Sequence, residues 1–190
     1  MQIKSIFCDL IKKSPIPLLL ALLFLIPPLH LFIIPYYFAQ KNLFNQVFKI
    51  GLQRFNIFVI VYIIIIILAI NFLSGYLFVD YSLQSHVNQL SVSQKITISQ
   101  LLSIVVLAPI IEEFYFRGIL FKYFEKTKCK FFILIVTSLI FTFIHFNILS
   151  SPTLFALGIF LAYLKLVTGS LFLPIIMHSL FNCLMLLMIL

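Results

Sequence analysis

The stretch from Ala108 to Gly118 reads A-P-I-I-E-E-F-Y-F-R-G and sets Glu112, Glu113 and Arg117 inside a strongly apolar segment. From Ile98 to Phe124 the sequence is long enough to cross a bilayer as one helix. Ionised side chains at that depth are costly, so they are functional candidates by default. The chain has five acidic residues, and two of them lie in this stretch.

Helix geometry gives the two adjacent carboxylates different roles. Glu113 and Arg117 are one turn apart on the same face, which predicts an internal ion pair. Glu112 points about 100° away from its neighbour and is expected to face the bundle interior. The alternative is that all three side chains only hold helices together by hydrogen bonds across the bundle. An ion pair explains only one of the two carboxylates, and the second favours chemistry.

Composition places the chain in the membrane. It has 190 residues, 63% of them hydrophobic, and a mean hydropathy of +1.21, well outside the range of soluble globular domains. The sequence therefore predicts an all-α, polytopic membrane helix bundle with about six transmembrane helices of ~20 residues each. We expect N-terminal spans and a polar loop without motifs in residues 1–97, and a membrane core with polar side chains inside its apolar spans in residues 98–190.

The apolar spans are separated by short polar or proline-containing segments. Pro27, Pro28 and Pro35 interrupt the first span, which either crosses the membrane with a kink or turns back. Pro109, three residues before Glu112, is expected to kink its helix and expose backbone groups near the carboxylates. The predicted spans are Pro15–Ala39, Phe55–Val79, Ile98–Phe124, Phe131–Leu149, Thr153–Val167 and Leu171–Leu190.

We interpret the net charge of +8 as a feature of membrane topology, that is, of the orientation of the helices across the bilayer. Basic residues cluster at the ends of apolar spans and form no aromatic-interleaved face, which argues against nucleic-acid binding. The three cysteines show neither a disulfide spacing nor a zinc-knuckle spacing. By the positive-inside tendency, the cytoplasmic side carries Lys122, Lys126, Lys128, Lys130 and Lys165.

Two more polar sites lie in the apolar C-terminal half. His145 ends the string F-T-F-I-H, and His178 and Asn182 are spaced by four residues, so they share one helix face. The depth of each side chain follows from its distance along the helix to the nearest polar turn, at ~1.5 Å per residue. Glu112 lies about 15 Å from Lys122, where the lysine-rich turn begins, and His145 lies about 21 Å from Lys130, where that turn ends. His178 lies about 12 Å from the turn at Gly169–Ser170. We therefore expect these four side chains to meet in one cavity that opens towards the cytoplasmic side.

Such a cluster suits peptide hydrolysis in two ways. In one, Glu112 and a histidine polarise a water molecule as general base, while Asn182 and the other histidine bind the oxyanion. In the other, Glu112, His145 and His178 ligate a divalent metal such as zinc. There is no H-E-x-x-H sequence, and Glu113 is the only carboxylate available to orient an imidazole, so we expect a metal-free site without a cofactor.

Other chemistries receive less support from the sequence. Ser179 and Cys183 have no neighbour that would complete a nucleophilic triad. A small transporter or proton relay would fit intramembrane histidine and glutamate in general, but the chain has no inverted repeat.

Three ordered motifs carry a family resemblance: E-E-x-x-x-R from Glu112 to Arg117, F-x-x-x-H from Phe141 to His145, and H-x-x-x-N from His178 to Asn182. With these motifs the chain resembles the CPBP family of intramembrane proteases, the CAAX proteases and bacteriocin-processing or immunity proteins that are also called the Abi family. The likeness covers Ile98 to Leu190.

The resemblance implies an intramembrane endopeptidase in a bacterial plasma membrane, where it would be a multi-pass protein. Water would be activated by Glu112 and His145 and the oxyanion held by His178 and Asn182, with Glu113 and Arg117 in support. The expected partners are the lipid bilayer and a peptide or protein substrate, such as a bacteriocin precursor or a membrane protein. The alternative is a non-enzymatic bacteriocin self-immunity or scaffold protein.

Overall fold

The computed structural model describes residues 57–77, 96–121, 124 and 129–189, and the regular elements in these ranges are all helices. The predicted helical membrane bundle is confirmed. The helices are α1 (Ile57–Leu77), α2 (Ile98–Leu120), α3 (Lys130–Ile144), α4 (Ser151–Thr168) and α5 (Phe172–Ile189). Among these described helices, α1, α2 and α4 are long and apolar enough to cross a membrane, while α3 and α5 are shorter apolar helices. The predicted span Pro15–Ala39 lies outside the described residues.

Helix α2 begins with a capping box and then changes its winding three times, from α to π, back to α and again to π. The Thr97 side chain accepts a hydrogen bond from the Gln100 N–H, and the Gln100 side chain accepts one from the Thr97 N–H. Two segments of α2, Ser103–Leu107 and Phe114–Leu120, are π-helical. Such wide turns often occur at functional sites. In this helix they flank the α-helical segment Ala108–Glu113, which carries both carboxylates.

Helix α3 ends earlier than the sequence predicts. We expected the span to run to Leu149, but the helix stops at Ile144, and His145 is its C-terminal cap. The His145 N–H bonds the Thr142 carbonyl at 3.2 Å rather than the Phe141 carbonyl that an α-helix would use. Nδ1 of the His145 ring lies 2.7 Å from that Phe141 oxygen and takes the place of the backbone donor.

Helices α3 and α4 pack closely through small residues. A Cβ atom at Gly158 would lie 3.0 Å from the Cβ of Ser138, so only glycine fits at this crossing without displacement. α4 ends at Gly169, whose φ of +67° is the left-handed conformation that glycine adopts readily. The Lys165 Nζ donates to the Gly169 carbonyl at 2.8 Å and stabilises this end.

Helix α1 carries none of the three sequence motifs and packs against α4. Ile60 and Ile67 are buried, and the Thr153 hydroxyl of α4 donates to Asn71 Oδ1 at 3.3 Å. Most other large side chains on α1 are exposed, as expected for a surface that is solvated by lipid. The core of the described bundle is formed by apolar side chains of all five helices.

Candidate active site

Glu113 is fully buried and contacts two donors with one oxygen. Its Oε1 lies 2.7 Å from Nη1 of Arg117 and 2.9 Å from Nδ1 of His178. The ion pair predicted from the four-residue spacing is therefore present. The contact with His178 was not predicted, because it depends on how α5 packs against α2.

Arg117 links α2 to two neighbouring helices. Its Nη2 donates to the Gly158 carbonyl of α4 at 2.9 Å, and its guanidinium lies 4.8 Å from the centre of the Phe141 ring of α3. Both contacts suit a fully buried cation, since the carbonyl accepts a hydrogen bond and the ring face attracts positive charge. Arg117 and Glu113 therefore join α2, α3, α4 and α5 at one level of the bundle.

Glu112 occupies a different environment from its neighbour. Its side chain is 19% exposed, and its Oε2 lies 3.7 Å from Nε2 of His145 and 3.8 Å from Nε2 of His178. Both separations are too long for a direct hydrogen bond. No donor among the described residues bonds this oxygen. The structure thus brings together Glu112, His145 and His178 from three helices, as the sequence predicts.

The contact at Nδ1 of each imidazole determines the hydrogen-bonding role of its Nε2, the ring nitrogen that faces Glu112. Nδ1 of His145 faces the Phe141 carbonyl and Nδ1 of His178 faces the Glu113 carboxylate, and both partners can only accept hydrogen bonds. Each Nδ1 therefore carries a hydrogen. In a neutral ring, the Nε2 atom that faces Glu112 is then a hydrogen-bond acceptor.

The Phe141 side chain packs between the polar groups. Its ring centre lies 4.7 Å from that of His145 and 5.6 Å from that of His178, and the side chain is fully buried. The sequence showed Phe141 only as the first residue of a motif. Its four-residue spacing from His145 is the signal that could have indicated both the ring contact and the hydrogen bond to its carbonyl.

Asn182 lies on the same helix as His178 but contacts a different part of α2. Its Nδ2 donates to the backbone carbonyl of Ile104 at 3.0 Å. Ile104 belongs to the π-helical segment Ser103–Leu107, two turns before Glu112. Within the described residues, Asn182 bonds this carbonyl and forms no hydrogen bond with Glu112, His145 or His178. Sequence spacing predicted the shared face with His178 and did not reveal this contact.

The distance between Glu112 Oε2 and His145 Nε2 is suitable for a bridging water molecule. A single water ~2.8 Å from each atom can bridge the 3.7 Å between Glu112 Oε2 and His145 Nε2 and donate one hydrogen to each. The ligand types would also suit zinc, and the imidazoles have the outer hydrogen bonds that metal ligands usually show. However, no group of three or more His, Cys, Asp or Glu side chains in the described ranges is spaced to hold a metal ion.

Comparison with known proteins locates the family likeness in the C-terminal half. Residues 94–184 match the family model for type II CAAX prenyl endopeptidase Rce1-like proteins. An uncharacterised 24.3 kDa protein of Escherichia coli is 36% identical over 83 residues, which cover 41% of this chain and 38% of that protein. The matched stretch thus spans little more than a third of this relative. No solved structure matches the chain.

Proposed function

From the match of residues 94–184 to the Rce1-like family model, we propose that this protein is a multi-pass intramembrane endopeptidase of a bacterial plasma membrane. Its substrate would be a membrane-associated peptide or protein. The observation that carries the proposal is the half-buried Glu112 carboxylate, whose Oε2 faces two imidazole nitrogens and has no hydrogen-bond donor among the described residues. A general base needs an oxygen whose lone pairs are not already committed to a donor, and this oxygen meets that need.

Glu112 and His145 would activate the attacking water. The water donates hydrogen bonds to Glu112 Oε2 and to His145 Nε2, and both acceptors increase the electron density on its oxygen. As this oxygen attacks the carbonyl carbon of the peptide bond, Glu112 takes the proton. The same carboxyl then gives the proton to the leaving amine nitrogen, so that hydrolysis produces one carboxylic acid and one amine, and transfer of the acid's proton to the amine gives the carboxylate and ammonium found in water.

His178 and Asn182 would stabilise the oxyanion. Because Nδ1 of His178 already donates to Glu113, Nε2 can donate to the oxyanion only if the ring is an imidazolium. Glu113 is placed to stabilise that cation. With a protonated His178, the cluster holds two positive groups, Arg117 and His178, and two carboxylates, so its net charge is zero.

A membrane-embedded site with this charge balance would keep its donors and acceptors in a medium of low dielectric constant. Hydrogen bonds from preorganised donors to a developing oxyanion are then worth more than in water. Zinc bound by Glu112, His145 and His178 remains the alternative for activation of the water, and we favour the metal-free site because the sequence has no H-E-x-x-H motif.

The rival function is a non-enzymatic scaffold or bacteriocin immunity protein. The contacts of Glu113 with Arg117 and His178 would be sufficient to hold the helices together. Glu112 contributes nothing obvious to such a role, since its inward oxygen is unpaired within the described chain. This asymmetry between neighbouring carboxylates favours the protease.

The test is cleavage of a quenched fluorescent peptide that carries a farnesylated CAAX C-terminus, by the full chain in proteoliposomes. We expect Glu112→Gln to lower the cleavage rate roughly 10²–10⁴-fold, because the amide cannot accept the proton of the water. The melting temperature should stay close to that of the wild type. An unprenylated peptide of the same sequence measures the contribution of the lipid group. Cleavage by Glu112→Gln at the wild-type rate would contradict the proposed mechanism.

A further inference from the structure

The hydrogen-bond pattern of α2 leaves one backbone carbonyl near the site without its usual helical donor. In the π-helical segment Ser103–Leu107, the Ala108 N–H bonds the Ser103 carbonyl, five residues earlier. Continued by one residue, this pattern would pair the Ile104 carbonyl with the N–H of residue 109. That residue is proline, which has no N–H. The Ala108 N–H, the donor that an α-helix would use for Ile104, is directed to Ser103.

The side chain of Asn182 supplies the missing donor. Its Nδ2 lies 3.0 Å from the Ile104 oxygen, across the interface between α5 and α2. A carbonyl can only accept a hydrogen bond, so the nitrogen of the amide must face Ile104 and the position of Oδ1 is fixed as well. An unsatisfied carbonyl within the bilayer would be costly, so this contact has a physical reason to persist.

We infer that Pro109 is a positioning residue that fixes the side chain of Asn182 by keeping the Ile104 carbonyl free to accept its hydrogen bond. One N–H of Asn182 is thereby committed to the backbone of α2. The amide has a second N–H, which is the one available to an oxyanion. This last consequence rests on the proposed function, whereas the coupling between Pro109 and Asn182 does not.

Glycine and alanine would not reproduce this arrangement. Either residue at position 109 restores an N–H that can bond the Ile104 carbonyl in the π pattern, or can bond Val105 and release the Ala108 N–H for Ile104 in the α pattern. In both cases the carbonyl gains a backbone donor. The side chain of Asn182 then loses the acceptor that orients it.

A double-mutant cycle on thermal unfolding of the full chain in detergent tests the coupling. In the native background we expect Asn182→Ala to lower the melting temperature by roughly 2–4 °C, the shift that corresponds to one lost hydrogen bond in a chain of this size. In the Pro109→Ala background the same change should have less than half that effect. Pro152→Ala is the matched control, because this proline lies in the first turn of α4, and it should leave the effect of Asn182→Ala unchanged. Equal losses in the native and Pro109→Ala backgrounds would overturn the inference.

Side-chain NMR of ¹⁵N-labelled asparagine gives a second readout that does not depend on the folding of Pro109→Ala. The Asn182 amide signals, identified by their loss in Asn182→Ala, should show one proton protected from solvent exchange and one that exchanges faster. Asn147, whose Oδ1 accepts a bond from Ser150, provides an exposed reference for an uncommitted NH₂ group. If both Asn182 protons exchange as fast as those of Asn147, Pro109 does not position this side chain. Neither readout requires a substrate, so either can fail while peptide cleavage is observed, and the reverse also holds.

Discussion

Nδ1 of His178 lies 2.9 Å from Oε1 of Glu113, and the same oxygen accepts a 2.7 Å hydrogen bond from Arg117. One carboxylate oxygen therefore neutralises a buried cation and orients an imidazole on another helix. The adjacent Glu112 makes neither contact, although it is only one residue away. The difference between the two carboxylates leads to separate expectations for their substitution.

Replacement of Glu113 by glutamine should destabilise the protein strongly. The amide removes the negative charge and leaves Arg117 buried without compensation, which costs about 3–5 kcal/mol when one partner of a buried pair is lost. Denaturant unfolding in mixed micelles would measure this loss. Glu112→Gln is the matched control and should change the unfolding free energy by less than about 1 kcal/mol. Equal destabilisation by the two variants would show that Glu112 also has a structural role.

Substitution of Gly158 by alanine should disturb the packing of α3 against α4. The new methyl group would lie 3.0 Å from Ser138 Cβ, and overpacking of this kind costs about 1–3 kcal/mol. A displacement of α4 that relieves this close contact would also move the Gly158 carbonyl, which accepts a hydrogen bond from Arg117. In the Gly158→Ala background, unfolding measurements should show that Ser138→Gly restores part of the lost stability. Gly75→Ala is the control, because nothing lies within 4 Å of a Cβ at that position. A harmless Gly158→Ala would mean that the helices separate at no cost.

Removal of metal ions should leave the activity unchanged. Protein purified without chelator is expected to contain no stoichiometric zinc by elemental analysis, and peptide cleavage should survive exhaustive chelation. The physical reason is that Glu112 and His145 can polarise the attacking water by hydrogen bonds without a Lewis acid. Stoichiometric zinc, loss of activity on chelation and recovery on re-addition would instead make Glu112 a ligand.

Cys129 provides a natural probe of topology. This residue is exposed, and it directly precedes α3 at the end of the lysine-rich segment that the positive-inside tendency assigns to the cytoplasm. A membrane-impermeant maleimide should therefore label Cys129 in inside-out vesicles and not in intact cells. A Cys129→Ser variant distinguishes the labelling of Cys129 from the labelling of other thiols. Labelling in intact cells would reverse the predicted orientation.

Local sequence features predicted most of the described helices. The span expected at Phe55–Val79 appears as Ile57–Leu77, and the last two predicted spans agree with α4 and α5 within two residues at each end. These boundaries follow from apolar length and from proline and glycine, which act locally. The early end of α3 was missed, because a cap formed by the side chain of His145 on the Phe141 carbonyl is not visible in a hydropathy pattern.

The site was predictable only in part for a similar reason. The ion pair between Glu113 and Arg117 lies within one helix, so its spacing is fixed by the sequence. The contacts of His178 with Glu113 and of Asn182 with Ile104 join residues 65 and 78 positions apart. Their existence depends on the rotation of α5 against α2, and no periodicity of either helix determines that angle.

The shortness of α3 couples the site to the surrounding lipid. Its 15 residues extend about 22 Å, whereas the hydrocarbon layer is about 30 Å thick. With Lys130 at one surface of the hydrocarbon layer, His145 at the other end of this helix would lie about 8 Å short of the opposite surface, and the bilayer is expected to thin locally to match the protein. A thinner membrane would give water a shorter path to the carboxylate of Glu112. We therefore expect the acyl-chain length of the host lipids to influence peptide cleavage in proteoliposomes, independent of any side chain in the site.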